Sequence, residues 1–235
     1  MIVSDNSLAQ QTIKNIKSLG LPVIIFGAGI VGEVLFQACQ NMDLKVECFC
    51  DNNINKTTNV LCGLDVVYVP ELKERYKNAF ILISSADIQD VVRQLNTLGY
   101  SQWSSCASFL KEFDLFQHEF SMPSGFVEYA VATAILCHDN YLIPDKLFLR
   151  SVDIIVTERC SLKCRDCSNL MQYYKNPKDC DTEELLKTIE KFCVFIDEVN
   201  EFRVLGGEPF MNKEFHLVIK KISDETKVKK IILYT

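Results

Sequence analysis

The sequence predicts an α/β protein built from two successive parallel-sheet units, and three observations carry that expectation. Apolar strand-like runs alternate with helix-like runs across the first hundred or so residues. The glycine-rich turn Gly27-Ala-Gly29-Ile-Val-Gly32 stands between the first such strand and its helix. A second series of the same kind starts at Val152 and runs at once into a loop holding Cys160, Cys164 and Cys167.

Taken in order, residues 8–19 place Leu8, Ile13, Ile16 and Leu19 roughly on one helical face, with Ser7 as N-cap and Gly20-Leu-Pro22 as stop. Val23–Phe26 reads as a buried strand, residues 33–41 as a helix, and 45–50 as a second strand ending at Asp51. In a Rossmann unit such glycines let the backbone approach a pyrophosphate at a helix N-terminus, while an acid at the end of the second strand takes ribose hydroxyls. The same glycines can equally serve only a tight strand-to-helix turn. Residues 66–69 read as a short strand before Pro70, and 79–84 as a further buried strand. Residues 88–98 form a helix with Ile88, Val91, Val92 and Leu95 inward and Gly99 as its end.

With Asp51-Asn52-Asn53, Lys56 and Val67-Tyr-Val-Pro70-Glu71-Leu72, the stretch 21–110 resembles the small Rossmann-like domains of bacterial sugar-modifying proteins. That resemblance implies a pocket for NAD(P) or a nucleotide-sugar at Gly27, Gly29, Gly32 and Asp51. Residues 1–110 are therefore expected as one domain. Residues 111–150 follow as an aromatic-rich helical connector with a buried helix over 128–137, in which His118 and His138 read as structural or exposed.

In the second unit, 152–157 is a strand, 158–170 the cysteine loop, and Asp181 an N-cap with Glu184 as capping-box partner. Leu185, Ile189, Phe192 and Ile196 would form the buried face of that helix. Residues 201–205 make the next strand, ending in Gly206-Gly207-Glu208-Pro209. Asn212 can cap a helix over 213–224, and 229–235 open a third strand. Three thiols at i, i+4 and i+7 let one loop wrap a soft metal site. A count of three, where structural sites usually take four, leaves one corner for a non-protein ligand.

These two motifs, in this order, resemble those of the radical S-adenosylmethionine (SAM) enzymes. The resemblance implies a [4Fe–4S] cluster on Cys160, Cys164 and Cys167, with SAM on the fourth iron and Gly206, Gly207, Glu208 and Pro209 lining its methionine end. Asp166 departs from the pattern, which usually has an aromatic residue before the third cysteine. A partial radical SAM (βα) barrel over 151–235 is expected, fused to the Rossmann-like domain. At about 30 residues per βα unit a barrel of six units needs more chain than follows position 151, so a fragment of a longer enzyme is the expectation. The implied partners are a small-molecule substrate (a sugar or glycan precursor) or a peptide, and an electron donor such as a flavodoxin or ferredoxin. No catalytic residue beyond the cofactor site is assigned. Tyr173 and Tyr174, after the loop, read as packing residues.

Composition narrows the remainder. The chain has 235 residues, 48% hydrophobic and 24% charged, with net charge −6, which suits one or two cored domains. No basic stripe favours a nucleic-acid partner. No apolar run reaches the ~18–20 residues of a membrane helix, and Met1–Asn6 lacks the layout of a signal peptide. A cytoplasmic location is the default. Eleven cysteines, odd in number and scattered, do not form a disulfide framework. Cys39, Cys48, Cys50, Cys62, Cys106, Cys137 and Cys193 read as small buried hydrophobes. Two other readings stand beside the cluster. One is a structural zinc site that recruits Cys180. The other is an NAD(P)- or nucleotide-sugar-binding protein in which the first domain does the work, although no Tyr-x-x-x-Lys pair follows that fold.

Overall fold

The computed structural model describes residues 7–57 and 59–235; Met1–Asn6, on which the reading of the N-terminus rests, lie outside them. The chain divides into two compact units, residues 1–143 and 144–235.

The first unit is a six-stranded sheet between two layers of helices. Its strands are β1 (Val23–Phe26), β2 (Cys48–Asp51), β3 (Val60–Leu61), β4 (Leu64–Tyr68), β5 (Phe80–Ile83) and β6 (Trp103–Ser105), in the order β3-β4-β2-β1-β5-β6. All neighbours pair in parallel except the β3–β4 hairpin. Alternation along each strand decides which layer a side chain joins. Val23, Ile25, Phe49, Phe80 and Leu82 meet α1 (Leu8–Leu19), α2 (Ile30–Asn41), α5 (Ala107–Glu112) and α6 (Ser124–Tyr141). Ile24, Phe26, Cys50, Ile81 and Ile83 meet α3 (Val69–Arg75) and α4 (Ile88–Thr97). With both faces covered, the central strands are buried at every position, as the continuous apolar runs require.

Local signals set the helix ends. Ser7 accepts from the Gln10 N–H, and Gly20 closes α1 with φ +62°. The buried face of α1 is Ala9, Ile13 and Ile16, an i, i+4, i+7 series, which leaves Leu8 and Leu19 exposed. Helix α2 starts three residues earlier than expected, so Gly29 is its N-cap and Gly32 lies inside it. The expected connector divides: Val127, Val131 and Ala134 of α6 belong to the core of the first unit, whereas Phe148 already starts a strand of the second. Of the cysteines expected inside, Cys39, Cys48, Cys50, Cys106, Cys137 and Cys193 are buried, but Cys62 is exposed at the hairpin turn with φ +52°.

The second unit is a parallel sheet of β7 (Phe148–Thr157), β8 (Glu198–Gly206) and β9 (Val228–Leu233) in that order. Helices α7 (Thr182–Phe195) and α8 (Phe215–Ser223) pack on it through Val156, Phe202, Val204, Ile189, Val218 and Ile222. Asp181 caps α7 through the Glu184 N–H at 3.0 Å. Away from that core an alternating chain of charges crosses the sheet. Asp153 faces Arg203, Arg203 Nη2 donates to Glu201 Oε2 at 2.9 Å, and Lys230 Nζ reaches Glu201 Oε1 at 2.8 Å.

Among the described residues, no helix is long and apolar enough to cross a membrane.

Candidate metal centre

Strand β7 feeds directly into the cysteine loop, and the loop is closed at its neck. The Glu158 N–H donates to the Lys178 carbonyl at 2.8 Å, and the Lys178 N–H returns to Glu158 Oε2 at 3.0 Å. Thr157, fully buried, donates from Oγ1 to Asp179 at 2.6 Å and accepts from the Arg159 N–H at 3.0 Å. Arg159 then pairs with the other Asp179 oxygen at 2.8 Å. Residues 158–178 therefore leave and rejoin the sheet at one fixed point.

The turn after β8 docks on that root. Gly207 N–H donates to the Thr157 carbonyl at 2.9 Å and Glu208 N–H to the Arg159 carbonyl at 2.8 Å. Gly206 has φ +138°, and a Cβ on Gly207 would lie 2.0 Å from the Arg159 carbonyl oxygen and 3.1 Å from Cys160 Cβ. No side chain fits between these two backbones, which is the physical reason for paired glycines here. Two asparagines complete the brace. Asn169 Nδ2 donates to the Gly206 carbonyl at 2.9 Å, and buried Asn212 donates to the Val156 carbonyl at 2.9 Å while accepting from the Glu214 N–H. Glu208 Oε1 accepts from the Phe210 N–H at 3.2 Å, which turns Pro209–Met211 into a single helical turn.

The sequence expectation and the geometry meet on this loop. Cys160 follows the docked residue Arg159, Cys164 is exposed, and Cys167 is half-buried. The N–H of Met171 foremost, then those of Asn169 and Leu170, hold the Cys167 thiol below its usual pKa against the opposing effect of burial. Among the described residues no three His, Cys, Asp or Glu side chains converge on a metal-sized point. The three thiols share one loop without meeting. No helix or strand runs from Cys160 to Leu170, so this segment can wrap a cluster without breaking an element. Three soft donors on a tethered loop beside a bare glycine turn fit an iron–sulfur cluster with one open iron. Cys180 stands outside the loop, its N–H bonded to the Val156 carbonyl and its thiol pKa raised, chiefly by burial. Tyr173 and Tyr174 are exposed and do not pack as expected. Asp179, Asn169 and Asn212 carry the site's polar framing. Only Asn212 had a sequence signal, as a helix cap, and it acts one turn earlier, with Glu214 as the α8 N-cap.

The glycine turn of the first unit lies at the carboxyl ends of β1, β2 and β5, where the strand order reverses. A cavity of about 550 Å³ opens there, lined by Gly29, Asp51, Lys56, Ser85, Asp87 and Gln94 among others. Asp51 lines this cavity and is also held by the chain around it. Its carboxylate accepts from the Ala28 and Asn53 N–H groups, both at 2.8 Å, and from Lys56 Nζ at 2.9 Å. Burial pushes its pKa up, yet Lys56 and the two N–H groups outweigh that and hold it below the usual range. Three of the carboxylate's lone-pair directions are thus taken by the chain itself. Gly27 and Gly32 are also accounted for by the chain itself: a Cβ on Gly32 would lie 2.1 Å from the Gly27 carbonyl oxygen. Gly29 has only Lys56 Nζ nearby, at 3.9 Å from its would-be Cβ.

Residues 151–235 match the family model described as a 4Fe-4S single cluster domain, and residues 21–104 match the one described as C2185-like, N-terminal. Among curated proteins, the GTP 3',8-cyclase of Campylobacter curvus is 40% identical over 75 residues, 30% of this chain and 22% of that protein. The GTP 3',8-cyclase of Sulfurovum sp. is 38% identical over 82 residues, 32% of this chain and 24% of that protein. The chain thus spans between a fifth and a quarter of the length of these relatives. Among solved structures, a perosamine N-acetyltransferase from Caulobacter crescentus aligns with TM-score 0.29 and 22% identity over 34% of this chain and 40% of that one. A methyltransferase from Methylobacillus flagellatus aligns with TM-score 0.36 and 11% identity over 95% of this chain and 66% of that one. The first of the two family regions begins within β7 and includes the cysteine loop, β8 and β9. The second unit is thus similar to a 4Fe-4S single cluster domain and, over 75 to 82 residues, to GTP 3',8-cyclases.

Proposed function

We propose that the chain is a radical SAM enzyme, or the part of one that builds the cofactor site. Cys160, Cys164 and Cys167 hold a [4Fe–4S] cluster, and Gly206, Gly207, Glu208 and Pro209 line the site for the methionine end of SAM. When bound, the cluster and SAM supply a one-electron cleavage that gives a 5′-deoxyadenosyl radical able to take a hydrogen atom from a substrate. The residues of the chain bind and orient. The closed neck at Thr157–Asp179 fixes where the thiols start, and Asn169 ties the far side of the loop to Gly206. The Gly207 and Glu208 N–H groups are spent on the end of β7 and the root of the loop, so the turn presents backbone and the second Glu208 carboxylate oxygen to a ligand. The observation that carries this reading is that docking of the glycine turn on the root of the cysteine loop. The substrate class stays a small molecule, such as a sugar or glycan precursor, with a peptide as alternative.

Anaerobic reconstitution tests it, with iron, zinc and sulfide analysis, electron paramagnetic resonance of the reduced protein, and chromatography for 5′-deoxyadenosine. Cys160→Ala, Cys164→Ala and Cys167→Ala should each lose the cluster and SAM cleavage, whereas Cys180→Ala should keep both. Zinc in place of iron, with dependence on Cys180, would replace this reading by the structural-zinc one.

A second reading applies to the first unit, because its cavity sits at the switch point of the sheet. We infer that it takes a nucleotide-type ligand, NAD(P) or a nucleotide-sugar, with Gly29, Asp51 and Lys56 at the contact. Calorimetric titration with NADH and with a uridine diphosphate sugar, against Lys56→Met, tests this; no heat with either ligand would remove it.

A further inference from the structure

Helix α6 carries a histidine where its buried face asks for an apolar residue. Val127, Val131 and Ala134 pack into the core, and His138, one turn further on, is 2% exposed. A buried imidazole is costly unless its polar atoms are met, and here both are. Nε2 lies 2.7 Å from the Ser85 carbonyl oxygen, and Nδ1 lies 2.8 Å from Ser105 Oγ. A carbonyl only accepts, so Nε2 carries the proton and Nδ1 presents a lone pair. The Ser105 hydroxyl is therefore the donor to Nδ1, while its oxygen accepts from the Ala107 N–H at 3.0 Å.

A hydroxyl proton aimed at a neutral ring, whose other N–H is fixed by an acceptor, is the nucleophile–base–orienter arrangement. The orienter here is a backbone carbonyl just past β5 instead of a carboxylate. The pair also opens to a space. Ser105 and His138 both line a cavity of about 310 Å³, with Thr12, Ser108 and Leu142 on its walls, a volume at the lower end of small-molecule sites. A second nucleophile stands close by, since Cys106 Sγ is 3.6 Å from the same Nδ1. Cys106 is fully buried, however, and burial pushes its thiol pKa well up, whereas Ser105 is half-buried. The serine is the reachable group. Burial also leads in keeping the His138 ring neutral, against the pull of the Ser85 bond and Asp139, as a base requires.

We propose that Ser105 is a nucleophile and His138 its general base, in a site that cleaves short-chain acyl esters. The cavity is a different one from that at the glycine turn, and the proposal rests on neither reading above. Ser105 Oγ bonds to the acyl carbon as its proton passes to His138 Nδ1. The ester C–O bond breaks, and the departing alcohol oxygen takes that proton. Water then attacks the acyl-serine by the same route, which releases the acid and restores the hydroxyl. The small cavity limits the acyl group to a short chain.

A fluorophosphonate probe tests the nucleophile without knowledge of the natural ester. Oγ bonds to phosphorus, the P–F bond breaks, and fluoride and the proton pass to solvent. The full chain is labelled, digested and mapped by mass spectrometry, and hydrolysis of p-nitrophenyl butyrate is followed in parallel. Ser105→Ala, His138→Asn and the control Ser101→Ala are compared with the parent, with Trp103 fluorescence reporting that each is folded. The expected result is an adduct on Ser105 in the parent and in Ser101→Ala, with ester hydrolysis lost in Ser105→Ala. Labelling and hydrolysis should slow on the order of 10²-fold or more in His138→Asn. An unlabelled Ser105 in the folded parent chain would overturn the proposal. So would parent-rate hydrolysis in Ser105→Ala, or an adduct that forms as fast without His138. If His138→Asn loses its Trp103 transition, the parent and Ser105→Ala chains decide the matter between them.

Discussion

Replacing Gly207 with alanine puts a methyl carbon 2.0 Å from the Arg159 carbonyl oxygen, 2.5 Å from its carbon and 3.1 Å from Cys160 Cβ. Ordinary contact begins near 3.4 Å, so the turn has to back away from β7 by more than an ångström. Both atoms it would push are main chain, and one belongs to the root of the cysteine loop, so neither can swing aside. The movement breaks the Gly207–Thr157 and Glu208–Arg159 hydrogen bonds. Each contributes about 1 kcal/mol net, and a buried carbonyl left unpaired costs a further 1–3 kcal/mol, on the order of 3–5 kcal/mol together. The assay must separate the two units, and the chain helps: its single tryptophan is Trp103, on β6 of the first unit. For Gly207→Ala, Trp103 fluorescence should report an unchanged urea midpoint. Hydrogen exchange of peptides over residues 155–161 and 203–209 should accelerate by roughly 160- to 5,000-fold, the equivalent of that free energy at 1.36 kcal/mol per decade. Reconstituted iron should fall in parallel. Gly125→Ala is the control, since nothing lies within 4 Å of a Cβ there and the site is in the first turn of α6. Unchanged exchange in both peptides of Gly207→Ala would refute the claim that the two backbones are held in contact.

Three further outcomes follow from the same contacts. Lys230, with Arg203 and against the effect of burial, holds the Glu201 carboxyl below its usual pKa, so its stabilisation exists above the unfolded value near 4.3 and is lost as pH falls through the lower folded one; Glu201→Gln should cost about 1–3 kcal/mol at pH 7 by circular dichroism, shrinking in acid. Burial leads in holding His138 below its usual pKa, and its neutral ring bonds Ser105 Oγ at 2.8 Å and donates to the Ser85 carbonyl at 2.7 Å; the first unit should therefore lose stability as pH drops from about 6.5 toward the folded value, a slope in the Trp103 midpoint that His138→Asn removes. Gly29→Ala, with only Lys56 Nζ near its Cβ, should leave that midpoint within about 0.5 kcal/mol, so a loss of nucleotide titration heat in this variant would mark the ligand path.

Local chemistry is what the sequence could reveal. Strand β1, the glycine turn and α2 were legible because their signals lie within twenty consecutive residues. The cysteine loop was legible because its spacing alone restricts the chemistry. Strand β6 was not, since Trp103-Ser-Ser105 has no apolar pattern and exists by pairing with Ile81–Ile83. Helix α6 was read too short and placed in a connector, because it is apolar on most sides. The spacing Val127, Val131, Ala134, His138 did mark its buried face, and its last position holds a histidine that the pattern alone would read as polar. The partners of Asp51 were hidden for a related reason: its position at the end of β2 is a local fact, whereas its bonds to Lys56 and the Ala28 N–H join separate turns of chain.

The two glycine motifs also differ in what they license. In the first unit, Gly27 and Gly32 are required by the turn's own packing, so their presence argues for the fold and leaves the ligand to rest on Gly29, Lys56 and the cavity. In the second unit, Gly206 and Gly207 are required because two different segments must touch, and one of them is the root of the loop that bears the thiols. A glycine demanded by its own turn says little about chemistry, since any chain making that turn needs it. A glycine demanded by a remote loop ties the two motifs to one place, and the rigid neck then leaves the segment from Cys160 to Leu170 as the part free to adapt. Stiffness at the root and freedom at the tip are what a loop needs if its ligands are to close around a cluster without unpicking the sheet that carries them.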